Sequence, residues 1–235
     1  MKRWLPVPYN WVAADGAHYA YTDAQSRVHL VTVADGSDQI LAAGAIWGIY
    51  SYGINGIYAG QRDVTKQPSL LGLWRISPTG GAPAQLTPEG TWLAIDAKAA
   101  WSVEQDASAP HLQAPEESYG SVLKRFDLQS GQVSTWYTSA SGDFRVATID
   151  TAGRPVLVSV HSSAGSLDHV WIVTSAGVAQ TIGGATSIID VMADSHGVWY
   201  VDAMTISIYL VRATAPESMG QYGFNGLIKF AGPCQ

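Results

Sequence analysis

The chain has a single cysteine, Cys234, next to its C-terminus. One thiol forms no internal disulfide and supplies no cysteine-based zinc site, and a terminal position predicts a frayed-tail thiol. Charge is scarce as well: Asp, Glu, Lys and Arg make up 14% of the 235 residues, while 47% are hydrophobic. An average soluble domain carries roughly 25% charged residues, so this balance excludes a disordered chain and predicts strands buried over much of their surface. Positive charge is the rarer sign, with 13 Lys and Arg against 19 Asp and Glu, a formal net charge of −6, and no basic run beyond Lys2-Arg3 and Lys124-Arg125. Such a field collects no phosphates and excludes a nucleic-acid partner. Leu41–Tyr50 is too short to cross a membrane and is interrupted by Gly44 and Gly48. No membrane span is expected, and a water-soluble chain is predicted. Lys2-Arg3 could open a signal peptide, yet Pro6, Pro8 and Asn10 fall where its apolar stretch should run. The compartment therefore reads as cytoplasmic, or as periplasmic or extracellular if an export signal is missing from this sequence. Also missing are a Gly-x-Ser-x-Gly elbow, a phosphate loop, a dinucleotide fingerprint, a calcium loop and a His-Glu-x-x-His pair. No metal and no cofactor is expected.

What is present points to many short strands. Glycine (24), proline (11) and tryptophan (9) suit tight turns and strands packed through large rings, not long helices. Two motifs recur along the chain. The first, a short apolar strand, a turn with Asp or Gly and a strand with aromatics, covers Trp11–Tyr21, Trp47–Tyr58, Trp92–Trp101, Phe144–Leu157 and Ile188–Tyr200. The second, a strand, a glycine-containing turn and a last strand, covers His29–Ile40, Leu73–Leu86, Leu123–Val133, Val170–Val178 and, more weakly, Ile208–Thr214. The first motif starts at 11, 47, 92, 144 and 188, so the steps are 36, 45, 52 and 44 residues. A four-stranded propeller blade takes roughly 40 to 50 residues, and its strands, covered on both faces, read as continuous apolar runs such as Val198–Val201 and Pro155–Val158. The predicted fold is an all-β propeller of about five four-stranded blades forming one domain, residues 1–235. A β-sandwich, or part of a larger propeller, is the alternative. Arg3-Trp4-Leu5-Pro6-Val7 and Leu227–Phe230 compete for the outermost strand that would close the ring.

Leu73–Thr87, with its Ser77-Pro-Thr-Gly-Gly81 turn, resembles the strand-turn-strand element of bacterial WD40-like propellers of the TolB type. Gly197–Asp202 is similar to an inner hairpin of lyase-like propellers. The resemblance implies a scaffold and transfers no active-site residue.

Strands in a blade run A to D from the axis outward, so A–B and C–D turns share one face and B–C connections the other. The turns of the first face are tight, whereas B–C connections swell at Gln61–Leu70, Gln105–Gly120 and His161–Asp168. Loops on a rigid scaffold commonly carry binding residues, which makes this rim and the adjoining channel mouth the expected site; tolerated insertion explains the lengths equally well. The first swelling holds Arg62, Asp63 and Lys66, the second Asp106, His111, Glu116 and Glu117, and the third His161, Asp168 and His169. Histidine near carboxylates can move protons at neutral pH, although Glu116-Glu117 and His161 with His169 also read as ordinary loop polarity. Trp47 and Trp92, near the starts of inner strands, are expected either to stack on a sugar or peptide ring or to pack in the core. Asp143, Arg145 and Asp190 lie at or near inner strands, where a charge must pair or meet water, and are expected to line the channel. His196, in a tight A–B turn, reads as structural.

Polar loops without a recognisable catalytic set favour a non-catalytic module that binds a glycan, a peptide or a partner protein. The alternative is a propeller-type hydrolase or lyase acting on a polysaccharide or peptide, in which two carboxyls would converge within roughly 5 to 10 Å. A fragment that functions only within a longer chain is a third reading.

Overall fold

The computed structural model describes residues 5–65, 70–105, 119–140, 142–159, 168–185, 187–213, 215–221 and 230. Strands there fall into five antiparallel sheets. The first holds β1 (His18–Thr22), β2 (Val28–Thr32) and β3 (Asp38–Ala42). The second holds β4 (Trp47–Gly53), β5 (Gly56–Arg62), β6 (Leu70–Ile76) and β7 (Ala84–Thr87). The third holds β8 (Trp92–Ile95), β9 (Ala99–Glu104), β10 (Val122–Asp127) and β11 (Val133–Thr138). The fourth holds β12 (Phe144–Ile149), β13 (Pro155–Ser159), β14 (Asp168–Ser175) and β15 (Val178–Ala185). The fifth holds β16 (Ile188–Asp194), β17 (Gly197–Asp202), β18 (Ser207–Val211) and β19 (Pro216–Gln221). Within every sheet the strands follow chain order, the up-and-down pattern of a propeller blade. The chain is an all-β propeller of about five blades, and the two facing layers of a sandwich do not form.

Among the described residues the first sheet has three strands. Where the repeat predicts its innermost strand, the chain makes a 3-10 turn at Tyr9–Trp11 and then a single bridge, Val12 opposite Tyr19. The Ala13 carbonyl accepts from Gly16 N–H at 2.8 Å, closing the turn into β1. Leu5–Val7 carries no strand, in keeping with the missing N–H groups of Pro6 and Pro8; Arg3 and Trp4, the rest of the expected closing strand, lie outside the described residues.

Two compact units divide the chain: Met1–Ala100 with Asp127–Gln132, and Trp101–Phe126 with Val133–Gln235. In the first unit Ala20, Val28, Leu30, Trp47, Ile49, Ile57 and Ile76 make one core from the first two sheets. In the second, Val156, Val170, Ile182, Ile188, Val198 and Tyr200 make another from the fourth and fifth. Each core lies between sheets, which is why both faces of these strands are apolar; full burial of one such side chain contributes about 1.5–3 kcal/mol. First strands of neighbouring sheets meet, β4 with β8 in the first unit and β12 with β16 in the second, and are thereby the inner strands.

The turns explain where the carboxylates go. Asp15, Asp35, Asp63, Asp96, Asp127, Asp150, Asp194 and Asp202 each accept a backbone N–H two residues on, at 2.6–3.1 Å. These are Asx turns, the local bond that makes aspartate a turn former. At the two-residue hairpin between β16 and β17, Gly197 takes φ +142°, and a Cβ there would strike the Val211 carbonyl oxygen. Gly56 does the same in the second sheet, at φ +130°, where a Cβ would lie 2.8 Å from the Ile76 carbonyl oxygen.

Candidate functional site

The long connection between β9 and β10 has a defined neck. Gly120 bridges Phe144, donating to its carbonyl at 3.1 Å and accepting from its N–H at 2.8 Å. On its other side Gly120 lies so close to the Glu104 carbonyl that a side chain has no room. The connection thus returns onto the start of inner strand β12, beside Asp143. His111 and Glu116, with Asp106 and Glu117, fall within this connection and lie outside the described residues, as do Lys66 and His161.

Phe144 is fully buried, its ring 5.9 Å from that of Tyr137. Phe144 opens β12, with one charged neighbour just before the strand and one within it. They are Asp143, only 9% exposed, and Arg145, partly buried. Among the described residues neither side chain has a hydrogen bond or ion pair. Neither is among the buried polar atoms left without a partner, which are Trp47 Nε1, Trp101 Nε1 and the Tyr200 hydroxyl, so both charged groups keep access to water and to a ligand.

Among the described residues, the buried or inner-strand carboxylates elsewhere in this unit have partners. Asp168, buried at the head of β14, accepts the Ile188 N–H at 2.6 Å and so ties the fourth sheet to the start of β16. Asp190, on β16, accepts Val191 N–H at 3.0 Å and Phe230 N–H at 2.7 Å. Phe230 thus reaches the inner strand of the fifth sheet; Leu227–Lys229, the rest of the segment expected to compete for the closing strand, lies outside the described residues. Asp202 holds Met204 N–H at 3.0 Å and the Thr205 hydroxyl at 2.9 Å. Asp194 receives the Trp199 indole N–H at 3.0 Å and the His196 N–H at 2.8 Å. Burial pushes its carboxyl upward, but these donors prevail and hold it below the usual carboxylate range. His196 completes this turn as a structural residue, 3.4 Å from Asp194. His169 is exposed on β14 and stacks on Trp171 with centroids 6.2 Å apart.

In the first unit, Trp47 and Trp92 are 6% and 2% exposed. Trp47 packs edge-on against Trp74 at 5.5 Å, and Trp92 donates its indole N–H to the Glu89 carbonyl at 3.0 Å. Both rings belong to the core, so neither offers a stacking face in this arrangement. Arg62 is exposed at the end of β5, next to Asp63, whose carboxylate closes a turn on Thr65 at 2.6 and 3.0 Å.

Sequence reading passed over one polar network of this unit. His29 is 7% exposed, with Nδ1 2.8 Å from Asp38 and Nε2 3.1 Å from Asp23. Carboxylates only accept, so both bonds form together when both ring nitrogens carry hydrogen. Asp23 also takes Arg27 N–H at 2.9 Å and its Nε at 2.7 Å, while Tyr21 donates to Asp38 at 2.8 Å and stacks on His29 at 4.7 Å. Burial pushes the Asp23 carboxyl up, but the Arg27 and His29 donors overcome it and hold it below the usual range. Asp38 shows the same balance, lowered by His29 and Tyr21 against burial. Tyr21 is pushed up to about 12, first by its bond to Asp38 and then by burial. The legible signal was the Asp-x-x-x-Arg spacing, which returns with the same bonds at Asp150 and Arg154, 2.8 and 2.7 Å. Among the described residues no group of three or more His, Cys, Asp or Glu is arranged to hold a metal ion.

No protein-family model matches the chain, and the curated proteins give no match. Among solved structures it is similar to an oligogalacturonate lyase in complex with manganese, at 12% identity and a TM-score of 0.65, covering 92% of this chain and 65% of that one. It is similar to TolB from Acinetobacter baumannii, at 14% identity and a TM-score of 0.53, covering 85% of this chain and 49% of that one. An auxiliary nutrient binding protein from Bacteroides thetaiotaomicron matches at 10% identity and a TM-score of 0.53, covering 93% of this chain and 58% of that one. The chain therefore spans less than two thirds of the length of each. At these identities the likeness is one of architecture: the chain has the fold of the TolB-type β-propellers.

Proposed function

We propose that the chain is a non-catalytic binding module that holds a glycan, a peptide or a partner protein at inner strand β12 and the connections beside it. The observation that supports this reading is the pair Asp143 and Arg145, one nine-tenths buried and the other partly so, both without partners among the described residues. Its complement is that Asp168, Asp190, Asp194 and Asp202 are committed to backbone or turn donors. A ligand offering a donor to Asp143 and an acceptor to Arg145 would pair two charges at once. A glycan and peptide array probed with wild type, Asp143→Asn and Arg145→Ala tests the reading. The expected result is a hit weakened at least about tenfold by both changes, since a hydrogen bond to a charged group contributes roughly 1.5–3 kcal/mol. A hit indifferent to both changes removes β12 from the site.

The second reading, a hydrolase or lyase acting on a polysaccharide or peptide, is favoured by one feature: a buried, unpartnered carboxyl is also what a general acid or base requires. Turnover of an array ligand by wild type, abolished in Asp143→Asn, would replace binding by catalysis.

A further inference from the structure

Asp23, His29 and Asp38 belong to three successive pieces of the first sheet: the turn between β1 and β2, strand β2, and outermost strand β3. The nearly buried His29 ring spans the two carboxylates, Nδ1 2.8 Å from Asp38 and Nε2 3.1 Å from Asp23. Both carboxyls are held below the usual range, so at neutral pH they only accept. The bridge then needs a hydrogen on each ring nitrogen, and a ring with one hydrogen holds one end of it. Histidine is the side chain that gains and loses this second hydrogen near neutral pH. The two ends are unequal. Asp23 also accepts from Arg27 Nε at 2.7 Å and from the Gln25 and Arg27 backbone N–H groups at 3.0 and 2.9 Å, and its side chain is 14% exposed. Among the described residues Asp38 has the Tyr21 hydroxyl at 2.8 Å as its other donor, and its side chain is 40% exposed. Turning Asp38 to water is therefore the easier release. Strand β3 depends on that end, because Asp38, Gln39 and Ile40 are exposed and its ladder to β2 shifts register between Val28 and His29.

We infer that His29 is a proton-dependent latch on the first sheet: with hydrogen on both ring nitrogens it clamps β3 through Asp38, and loss of the Nδ1 hydrogen frees β3 while Nε2 keeps Asp23. Among the described residues the ionisable groups around the ring are Tyr21 of β1, stacked on it at 4.7 Å, Asp23 and Arg27 of the turn, and Asp38 of β3. Tyr21 is pushed up to about 12, the two carboxyls are pushed down, and an arginine stays cationic, so the ring is the member of the group that changes charge near neutral pH. The latch lies in the first unit, whereas β12 lies in the second, and it operates whether or not β12 holds a ligand.

Nitrogen-15 NMR of the full chain, followed from about pH 5 to 9, reads the His29 ring nitrogens and the backbone amide exchange together. At the acid end both ring nitrogens should carry hydrogen; as pH rises Nδ1 should lose its hydrogen and Nε2 keep it. In the same step the β3 amides paired to β2 should lose about tenfold or more of their protection, after correction for the intrinsic rise of exchange with pH. The paired amides of β17 and β18 should show no such step. A ring whose hydrogens do not change across the range overturns the inference, and so does one that gives up the Nε2 hydrogen first. A ring step without loss of β3 protection also overturns it, because Asp38 then does not hold the strand. Equal loss in β17 and β18 does the same, because the whole chain then loosens. Asp38→Asn should leave β3 about tenfold less protected than wild type at the acid end, with no further step on raising the pH. A folded Asp38→Asn protein that keeps the wild-type step overturns the latch, and if this variant does not fold the wild-type titration decides alone.

Discussion

Asp23, Asp38, His29 and Tyr21 form a network whose parts respond to opposite ends of the pH scale. Folding lowers both carboxyls below their ordinary value of 3.8, so their contribution is complete above that value and is lost as pH falls through the lower folded values. Folding raises Tyr21 from 10.0 to about 12, so its contribution is complete below 10.0 and is lost as pH rises toward about 12. Melting temperature measured across both ranges should fall at each end. Asp38→Asn should shrink both limbs, leaving an alkaline remainder from Tyr200, which burial also pushes up to about 12. Two tryptophans give a second contrast at this scale. Trp47 Nε1 is buried with no acceptor, whereas Trp92 Nε1 donates to Glu89. Replacement by phenylalanine deletes an unsatisfied donor in one case and a formed bond in the other. Urea denaturation should find Trp47→Phe less costly than Trp92→Phe by about 1–2 kcal/mol.

Hairpins and necks depend on glycines that admit no side chain. Gly197 combines φ +142° with a carbonyl in the path of any Cβ, and Gly120 is wedged between Glu104 and the bridge to Phe144. Gly197→Ala and Gly120→Ala should each cost about 2–3 kcal/mol in chemical denaturation, because neither the turn nor the carbonyl can move without breaking pairing. Gly120→Ala carries a further expectation: by displacing the neck beside Asp143 it should weaken any array ligand more than Gly197→Ala does. The five repeats were legible because each hairpin carries its own turn chemistry. The reduced first sheet was not. Trp11–Tyr21 matches the repeat, yet Pro6 and Pro8 remove backbone donors just ahead of it and leave one bridge where a strand was expected.

In the second unit the fourth and fifth sheets are joined by a buried carboxylate as well as by apolar packing. Asp168 caps the start of β16 from the head of β14. Asp168→Ala strands the Ile188 N–H and should lower stability by about 1–3 kcal/mol, read as a shift of the urea midpoint at unchanged slope. Much of the expected site was visible as residue types and loop lengths, but the role of each residue was not. Asp168 read as a residue of a long rim loop and Asp190 as channel lining, and both serve as acceptors for backbone N–H groups. Trp47 and Trp92 were weighed as platforms and lie in the core. Asp143 and Arg145 gained weight only because the structure leaves them unpaired. The sequence alone determined the strand-and-turn grammar, the repeat of about five units and the excess of aspartate, because these depend on side chains and bonds a few residues apart. Only the tertiary structure decided which of the described carboxylates are spent on turns and which on joints between sheets, because that depends on partners brought together from distant parts of the chain.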